Sequence, residues 1–440
     1  MKSSHGRGRS LWAFAVLMVA AACEREVILE GERLDPRALS GLGVAAAPAD
    51  RAEPIALPAT VNHTAWTHRG GSATHSITHP ALSPAPARVW SVSVGQGDDR
   101  RFRITADPVA ADGRIFTLDA RATVAATSAG GAPLWRRDLT PEWAGRGVAG
   151  GGGLVLGEGR LFATSGYGQI VALDPASGET LWQKRFDAPV TAPPAVQGGR
   201  VYVVANNGGA YALDARDGKI VWQHLGPVSA SGMVGGAAPA VAGQTVYLPF
   251  RSGDVAALRR ASGNEVWTAR VAGRRLGEAN AGVTDISGDP VLQGQTLFVG
   301  SRSGRIAAFD TATGEARWVA TEGALGPVWP VGGSLFAVSD QGALVRLSAA
   351  TGERIWSVPL GRYIDTRERR RAEVVAHYGP VLAGGRLRVA SNDGGLRSFD
   401  PVSGALLATE EIPGGASSNP VVVNGTLFVV SRDGQLHAYR

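Results

Sequence analysis

The sequence predicts an all-β fold, a β-propeller of eight four-stranded blades, with seven blades as the alternative count. Three observations lead to this prediction: a repeat of about 45 residues, a tryptophan at one fixed position of the repeat, and chain ends that complement each other. Four short strands and their turns occupy about this length in a propeller blade.

The repeat is clearest in three units, which begin at Pro193, Ala238 and Asp289. Each unit has Pro-x-Val, an alternating apolar run, a glycine turn, an Ala-Leu-Asp-like element, a second glycine turn and then a tryptophan. The β-branched and aromatic runs suit buried strands, and the glycines supply the positive φ of tight hairpins. We expect the tryptophans to stack between blades; they are Trp135, Trp182, Trp222, Trp267, Trp318 and Trp356.

The two chain ends predict how the ring closes. The last unit, residues 419–440, lacks the outer strand that carries the tryptophan, and residues 87–92 supply such a strand with Trp90. Pairing the first strand with the last blade removes two exposed sheet edges. With Trp90, and with Ala408 in the place of a tryptophan in one degenerate unit, the sequence has eight outer strands.

The first 22 residues are predicted to be a signal peptide. They have a basic head and a 12-residue apolar run, shorter than the roughly 20 residues that span a bilayer. The run leads into Cys23, the only cysteine of the chain, in a pattern that resembles the lipobox of bacterial lipoproteins. This resemblance implies a lipid on Cys23; a plain signal peptide is the alternative.

The composition divides the mature chain in two. Residues 23–86 are rich in alanine, proline and charged residues and are predicted to be a tether, and residues 87–440 are predicted to be the propeller. Loss of residues 1–22 removes three basic residues and no acidic ones, which lowers the formal net charge from +6 to +3. A nucleic-acid partner is therefore not expected.

The element Ala-Leu-Asp-x-x-Thr-Gly-x-x-x-Trp resembles the tryptophan-docking repeat of pyrroloquinoline-quinone (PQQ)-like propellers. This resemblance implies a fold but not an activity. More specific stretches resemble the alphaproteobacterial form of the BamB family: residues 30–35, 164–168, 379–385 and the ending 437–440.

The BamB resemblance implies a non-enzymatic scaffold lipoprotein of the outer-membrane β-barrel assembly machinery. Such a protein binds the barrel-inserting subunit BamA and helps nascent β-barrel proteins reach it. The resemblance also implies a lipid-anchored protein of the outer membrane that faces the periplasm, because Glu24 follows Cys23 where an inner-membrane lipoprotein often has aspartate.

The family's partner surface corresponds here to two interblade loops, residues 229–237 and 278–290. The resemblance makes five residues candidates for partner binding: Met233, Val234, Gly235, Asp285 and Asp289. Val234 stands where the better-known branch of the family has arginine. Ordinary solvated loops are the alternative interpretation.

A PQQ-dependent dehydrogenase or a small-ligand-binding periplasmic propeller is the alternative function. Resemblance to the dehydrogenases would imply calcium, a catalytic aspartate and a disulfide between adjacent cysteines, which a chain with one cysteine cannot form. No cofactor and no catalytic residue are therefore predicted.

Four histidines lie close together in the sequence before the propeller. Their spacings of 5, 7 and 4 residues fit a zinc site poorly. We predict no metal site and expect polar residues that lie against the propeller; the four are His63, His68, His75 and His79.

Overall fold

The repeat folds into eight antiparallel four-stranded sheets arranged as blades in a ring, as the sequence predicts. The computed structural model describes residues 49–145, 147, 149–229, 235–271, 273, 275, 284–364, 367 and 373–440. Within these residues, no helix is long and apolar enough to span a membrane.

Each blade contains four strands that are consecutive in sequence, except for the last blade, and we number the blades in chain order. Blade 1 has β2 (Val109–Ala111), β3 (Arg114–Leu118), β4 (Thr123–Ser128) and β5 (Pro133–Asp138). Blade 2 has β6 (Gly152–Gly157), β7 (Arg160–Ser165), β8 (Gln169–Leu173) and β9 (Thr180–Arg185). Blade 3 has β10 (Ala195–Gln197), β11 (Arg200–Val204), β12 (Gly209–Asp214) and β13 (Ile220–Leu225). Blade 4 has β14 (Ala240–Ala242), β15 (Thr245–Pro249), β16 (Asp254–Arg259) and β17 (Glu265–Arg270).

The remaining blades follow the same order. Blade 5 has β18 (Val291–Gln293), β19 (Thr296–Ser301), β20 (Arg305–Asp310) and β21 (Ala316–Ala320). Blade 6 has β22 (Trp329–Val331), β23 (Ser334–Val338), β24 (Ala343–Ser348) and β25 (Arg354–Pro359). Blade 7 has β26 (His377–Ala383), β27 (Arg386–Ser391), β28 (Gly395–Phe399) and β29 (Leu406–Glu411). Blade 8 has β30 (Val421–Val423), β31 (Thr426–Val430), β32 (Gln435–Tyr439) and β1 (Arg88–Ser93).

The burial of the strands follows their order from the channel outward. The second and third strands are buried on both faces because neighbouring blades cover them, which explains their continuous apolar runs. The fourth strands alternate between exposed and half-buried residues and form the outer rim. The short first strands line the channel, and first strands of neighbouring blades contact each other, as β2 and β6 or β10 and β14 do.

The ring closes between the first strand of the chain and the last. Strand β1 pairs with β32 in antiparallel register, so Trp90 lies opposite Ala438. Ala87 and Arg440 exchange two backbone hydrogen bonds of 2.9 Å. The predicted pairing of the first strand with the last blade is confirmed.

The tryptophans connect each blade to the next. Each indole ring packs 5.7–5.9 Å from an aromatic ring on the second strand of its own blade. From Trp135 to Trp356, each indole N–H also donates a hydrogen bond of 2.9–3.1 Å to a carbonyl of the following blade, in the turn between its third and fourth strands.

This geometry explains why Ala408 replaces a tryptophan. Ala408 lies on the outer strand of blade 7, and a tryptophan there would dock on the turn between the third and fourth strands of blade 8. Blade 8 has no such turn, because its third strand ends at the C-terminus and its fourth strand is β1.

The glycine of each docking turn is under two separate constraints. Gly178 has φ +74°, and a Cβ atom there would lie 2.5 Å from the ring of Trp135. Gly159 has a similar φ of +71°, but a Cβ atom there would have no other atom within 4 Å. We expect Gly178→Ala to lower the free energy of unfolding by about 2–4 kcal/mol, as backbone strain and overpacking add. Gly159→Ala should cost only the strain, about 1 kcal/mol, in the same urea titration. Equal losses in the two variants would contradict tryptophan docking as the reason for Gly178.

The predicted tether requires a correction, because residues 49–86 lie against the propeller. Arg346 of β24 and Arg388 of β27, both almost fully buried, donate hydrogen bonds to backbone carbonyls of this segment, among them those of Glu53 and Ser83. The composition suggested a tether because this segment has no strand periodicity. Its contacts with the two arginines are made through its main-chain carbonyls, which do not depend on a side-chain pattern. Residues 23–48, including Cys23, lie outside the described residues.

Candidate functional site

One end of the channel is closed by residues 63–80, which we call the plug. The plug lies on the face that carries the turns between first and second strands, and it contacts all eight blades. Trp66 exchanges two backbone hydrogen bonds with Ala110 of blade 1 and stacks 6.5 Å from Trp329 of blade 6. Groups of the other six blades donate hydrogen bonds to it: the amides of Leu156, Val196, Val241, Leu292, Gly384 and Asn424.

The plug satisfies backbone groups that the propeller leaves unpaired. The innermost strand of a blade has a free edge toward the channel, and free edges carry unsatisfied donors and acceptors. A plug that bonds to these edges fills the channel with protein and fixes the blades relative to one another.

Arg69 points from the plug into the middle of the channel. Its Nε lies 2.9 Å from Asp107 Oδ2, and its Nη1 lies 3.4 Å from Asp289 Oδ1. Burial alone would lower the pKa of Arg69, but the two carboxylates outweigh this effect, and the pKa lies above its ordinary value. The guanidinium also donates to the carbonyls of Thr105 and Gly236.

A cavity of about 450 Å³ lies above Arg69 and opens on the opposite face, which carries the interblade loops. We call it the mouth. Its wall combines apolar residues with charged and polar ones, a composition typical of binding sites. Its lining includes Arg69, Gly235, Asp285, Ile286, Arg302 and Leu325.

The structure places two of the five candidate partner residues in the lining of the mouth and a third, Asp289, against Arg69 beneath it. Gly235 lies at its rim with φ +102°. Asp285 lines the mouth but is only 7% exposed. Asp289 is 1% exposed, and it accepts a hydrogen bond of 2.6 Å from the amide of Ala238 as well as pairing with Arg69.

Asp289 therefore holds two blades and the plug together and is not on the surface. Met233 and Val234 lie outside the described residues, so their assignment stays a prediction. Arg69 was not predicted from the sequence, because one arginine in a segment without periodicity has no pattern to distinguish it. Its position among four histidines, all of which contact the propeller, was the one available signal.

The four histidines form hydrogen bonds with the propeller or the plug. Nε2 of His68 accepts a hydrogen bond of 3.1 Å from the amide of Val196, and Nδ1 of His75 lies 2.8 Å from the carbonyl oxygen of Pro290. His79 contacts Gly385, and His63 contacts Thr78. No group of three or more potential metal ligands is present among the described residues.

The plug histidines give the protein a pH-dependent stability. Burial, and next the charge of His75, lower the pKa of His68 to about 3, and burial also lowers the pKa of His75. The unfolded chain then binds more protons than the folded chain at pH values between about 3 and 6.5. Stability therefore falls as pH falls below about 6.5, by up to about 1.4 kcal/mol per pH unit for each histidine.

We expect His68→Gln to reduce this acid sensitivity. The free energy of unfolding in urea should differ less between pH 7.5 and pH 4.5 for the variant than for the parent. The variant lacks the histidine at position 68 that takes up a proton when the parent chain unfolds. His224→Gln, at a half-buried site on the outer strand of blade 3, is the control. An unchanged pH slope in His68→Gln would contradict the assignment.

Comparisons with known proteins agree with this architecture. The sequence profile of the family described as "Outer membrane protein assembly factor BamB" matches residues 120–358 and 364–440. The outer membrane protein assembly factor BamB of Salmonella typhimurium is 26% identical over 360 residues, which cover 80% of this chain and 88% of that protein.

Solved structures show the same fold. The crystal structure of BamB from Moraxella catarrhalis superposes with a TM-score of 0.67 at 22% identity and covers 81% of this chain and 100% of that one. A quinohemoprotein alcohol dehydrogenase from Comamonas testosteroni has a TM-score of 0.62 at 14% identity and covers 86% of this chain and 80% of its own. At these levels of sequence identity, structural similarity shows a shared fold and no shared activity.

Proposed function

The chain belongs to the family of outer membrane protein assembly factor BamB, and from this premise we propose that it is a non-enzymatic scaffold of the outer-membrane β-barrel assembly machinery. It binds BamA through the interblade-loop face around residues 229–237 and 278–290 and helps nascent β-barrel proteins reach BamA. A lipid on Cys23 holds it at the outer membrane, on the periplasmic side.

The observation that carries this proposal is the asymmetry of the two faces. The plug closes one end of the channel with hydrogen bonds and packing, whereas the other end is an open mouth. Its lining includes Gly235 and Asp285, which belong to the two loops that the family resemblance assigns to partner binding. Rigid blades that display loops on one face suit recognition of another protein.

Exposed apolar residues lie next to one of these loops. Leu225 and Val228 are 75% and 74% exposed, at the end of β13 and the start of the connection to blade 4. Apolar side chains grouped on a surface are typical of protein contacts. Leu225 and Val228 therefore support the proposal that a partner protein binds on this side of the ring.

A quinoprotein role fits this chain less well. The plug occupies the centre of the channel with Trp66, Arg69 and His75, and the single cysteine cannot make the disulfide of such enzymes. Binding is therefore the function that the geometry favours.

Co-purification from native outer membranes in mild detergent tests the proposal. We expect the tagged parent chain to recover BamA and Val228→Glu to recover about tenfold less, because a charge would be buried at the contact. Leu406→Glu is the matched control, since Leu406 is 54% exposed on the outer strand of blade 7. Recovery of the parent chain without any barrel-assembly subunit would overturn the proposed function.

A further inference from the structure

The connection from blade 1 to blade 2 carries an exposed tryptophan. Trp143 is 58% exposed, and it is the one aromatic residue among the large apolar side chains that the described part of the chain leaves exposed. The other described tryptophans are buried or half-buried. Single exposed apolar side chains are common on protein surfaces, so the surroundings of this ring decide whether it has a role.

Two contacts fix the position of the Trp143 ring. The guanidinium of Arg185 lies over the ring, 4.2 Å from its centroid, and the ring of Tyr167 stands perpendicular to it at 6.5 Å between centroids. The connection itself is also held, because the side-chain amide of Gln169 donates a hydrogen bond to the carbonyl of Leu139. Since the cation covers one face, the exposed area of Trp143 belongs mainly to the opposite face and the outer edge.

Trp143 borders a groove of about 760 Å³ between blades 1 and 2, which we call the seam groove. One wall has Arg137 of β5, which lies two residues after the tryptophan that docks on blade 2 and therefore faces the same way. The other wall has Gln183 and Arg185 of β9, on the face of blade 2 opposite to its own docking tryptophan. The volume lies within the range of small-molecule sites.

The seam groove offers hydrogen-bonding groups of both kinds. Arg137, Glu142 and Gln183 line it, and their side chains form no hydrogen bond or ion pair with any other residue that the structure describes. Arginine donates, glutamate accepts, and the glutamine amide does both. A sugar ring is complementary to this set, because its hydroxyl groups donate and accept hydrogen bonds. Its C–H groups pack on the face of an aromatic ring, which carries partial negative charge.

A proline-rich peptide fits the seam groove less well. Such peptides bind in grooves lined by aromatic rings, whereas Trp143 is here the one exposed aromatic ring of the described lining. Trp182, the other aromatic residue of the lining, is half-buried and uses its indole N–H to dock on blade 3. One aromatic platform among polar side chains is better suited to a saccharide.

We propose that the seam groove binds an oligosaccharide, with one sugar ring stacked on the exposed face of Trp143. The hydroxyl groups of the sugar bond to Arg137, Glu142 and Gln183. This inference goes beyond the proposed function and does not depend on BamA binding. The seam groove lies between blades 1 and 2, whereas the loops assigned to BamA connect blade 3 to blade 4 and blade 4 to blade 5.

Saccharide titrations of the purified full chain test the site. The probes are chitotetraose, cellotetraose and maltotetraose, followed by saturation-transfer difference NMR and isothermal titration calorimetry. We expect at least one of them to bind, and Trp143→Ala to weaken that binding by about tenfold or more, as loss of a central aromatic contact does. Gln183→Ala should weaken it by about threefold to tenfold, through loss of hydrogen bonds. Leu134→Ala, at a 47% exposed position of β5 outside the seam groove, is the control and should leave the affinity unchanged.

Three outcomes would overturn the inference. These are no binding of any of the three saccharides at millimolar concentration, equal affinity of the parent chain and Trp143→Ala, or tighter binding of a decaproline peptide than of every saccharide. The last result would assign the seam groove to a protein ligand. Thermal unfolding checks that each variant is folded. BamA co-purification is measured separately, so failed saccharide binding with intact BamA recovery rejects this site and leaves the proposed function standing.

Discussion

Replacing Arg69 with methionine should lower the free energy of unfolding by about 3–5 kcal/mol, because two buried carboxylates would lose their cation. Asp107 is 7% exposed and Asp289 is 1% exposed, so both carboxylates would stay largely buried without the guanidinium. The variant would also lose the hydrogen bonds from Arg69 to the carbonyls of Thr105 and Gly236. Urea unfolding followed by tryptophan fluorescence measures the loss.

Two further variants separate charge from packing. Arg216→Met removes an arginine whose side chain is 81% exposed and should leave the urea midpoint close to that of the parent. Combining Arg69→Met with Asp289→Asn should recover part of the loss, since one uncompensated charge is removed. If Arg69→Met were as stable as Arg216→Met, Arg69 would not be the ion-pair centre of the channel.

Trp356→Ala should destabilise the propeller by about 3–5 kcal/mol, the usual range for removing a buried large aromatic side chain. Trp356 is 2% exposed, donates a hydrogen bond of 3.1 Å to the carbonyl of Val402 in blade 7, and packs 5.8 Å from Phe336. Its loss should therefore loosen the contact between blades 6 and 7. Calorimetric and urea unfolding both report the change.

Ala408→Trp is the informative counterpart, because it restores the repeat consensus at a position with no docking turn. We expect it to change stability by less than about 1 kcal/mol, since the new ring would lie on the outer rim of blade 7. A large stabilisation by Ala408→Trp would show that tryptophan at this position acts without a turn in the next blade.

The sequence predicted the parts of the fold that repeat and missed the part that does not. Strand runs, glycine turns and tryptophans recur in each blade, so their period revealed the ring and its closure. The plug occurs once and contacts the blades largely through its main chain, which leaves little trace in side-chain pattern. Arg346 and Arg388 were a possible signal, because they interrupt the small and aromatic positions of blades 6 and 7, and they bind the segment before β1.

The partner residues taken from the family resemblance stay a prediction. Among them, Gly235 and Asp285 line the mouth, and Asp289 binds Arg69 beneath it. The resemblance could not show that Asp289 is buried against Arg69, because the partner comes from a segment 220 residues away in the sequence. Contacts at such separation depend on the assembled ring and not on local pattern.

The plug also bears on how the protein is made. A polypeptide is synthesised from its N-terminus, so residues 63–80 are made before any blade exists. Some partners of this part of the chain are made only at the end of synthesis. The amide of Asn424 donates a hydrogen bond to the carbonyl of His63, and strand β1 pairs with β32. The complete set of contacts between this segment and the blades can therefore form only after nearly the whole chain has been made.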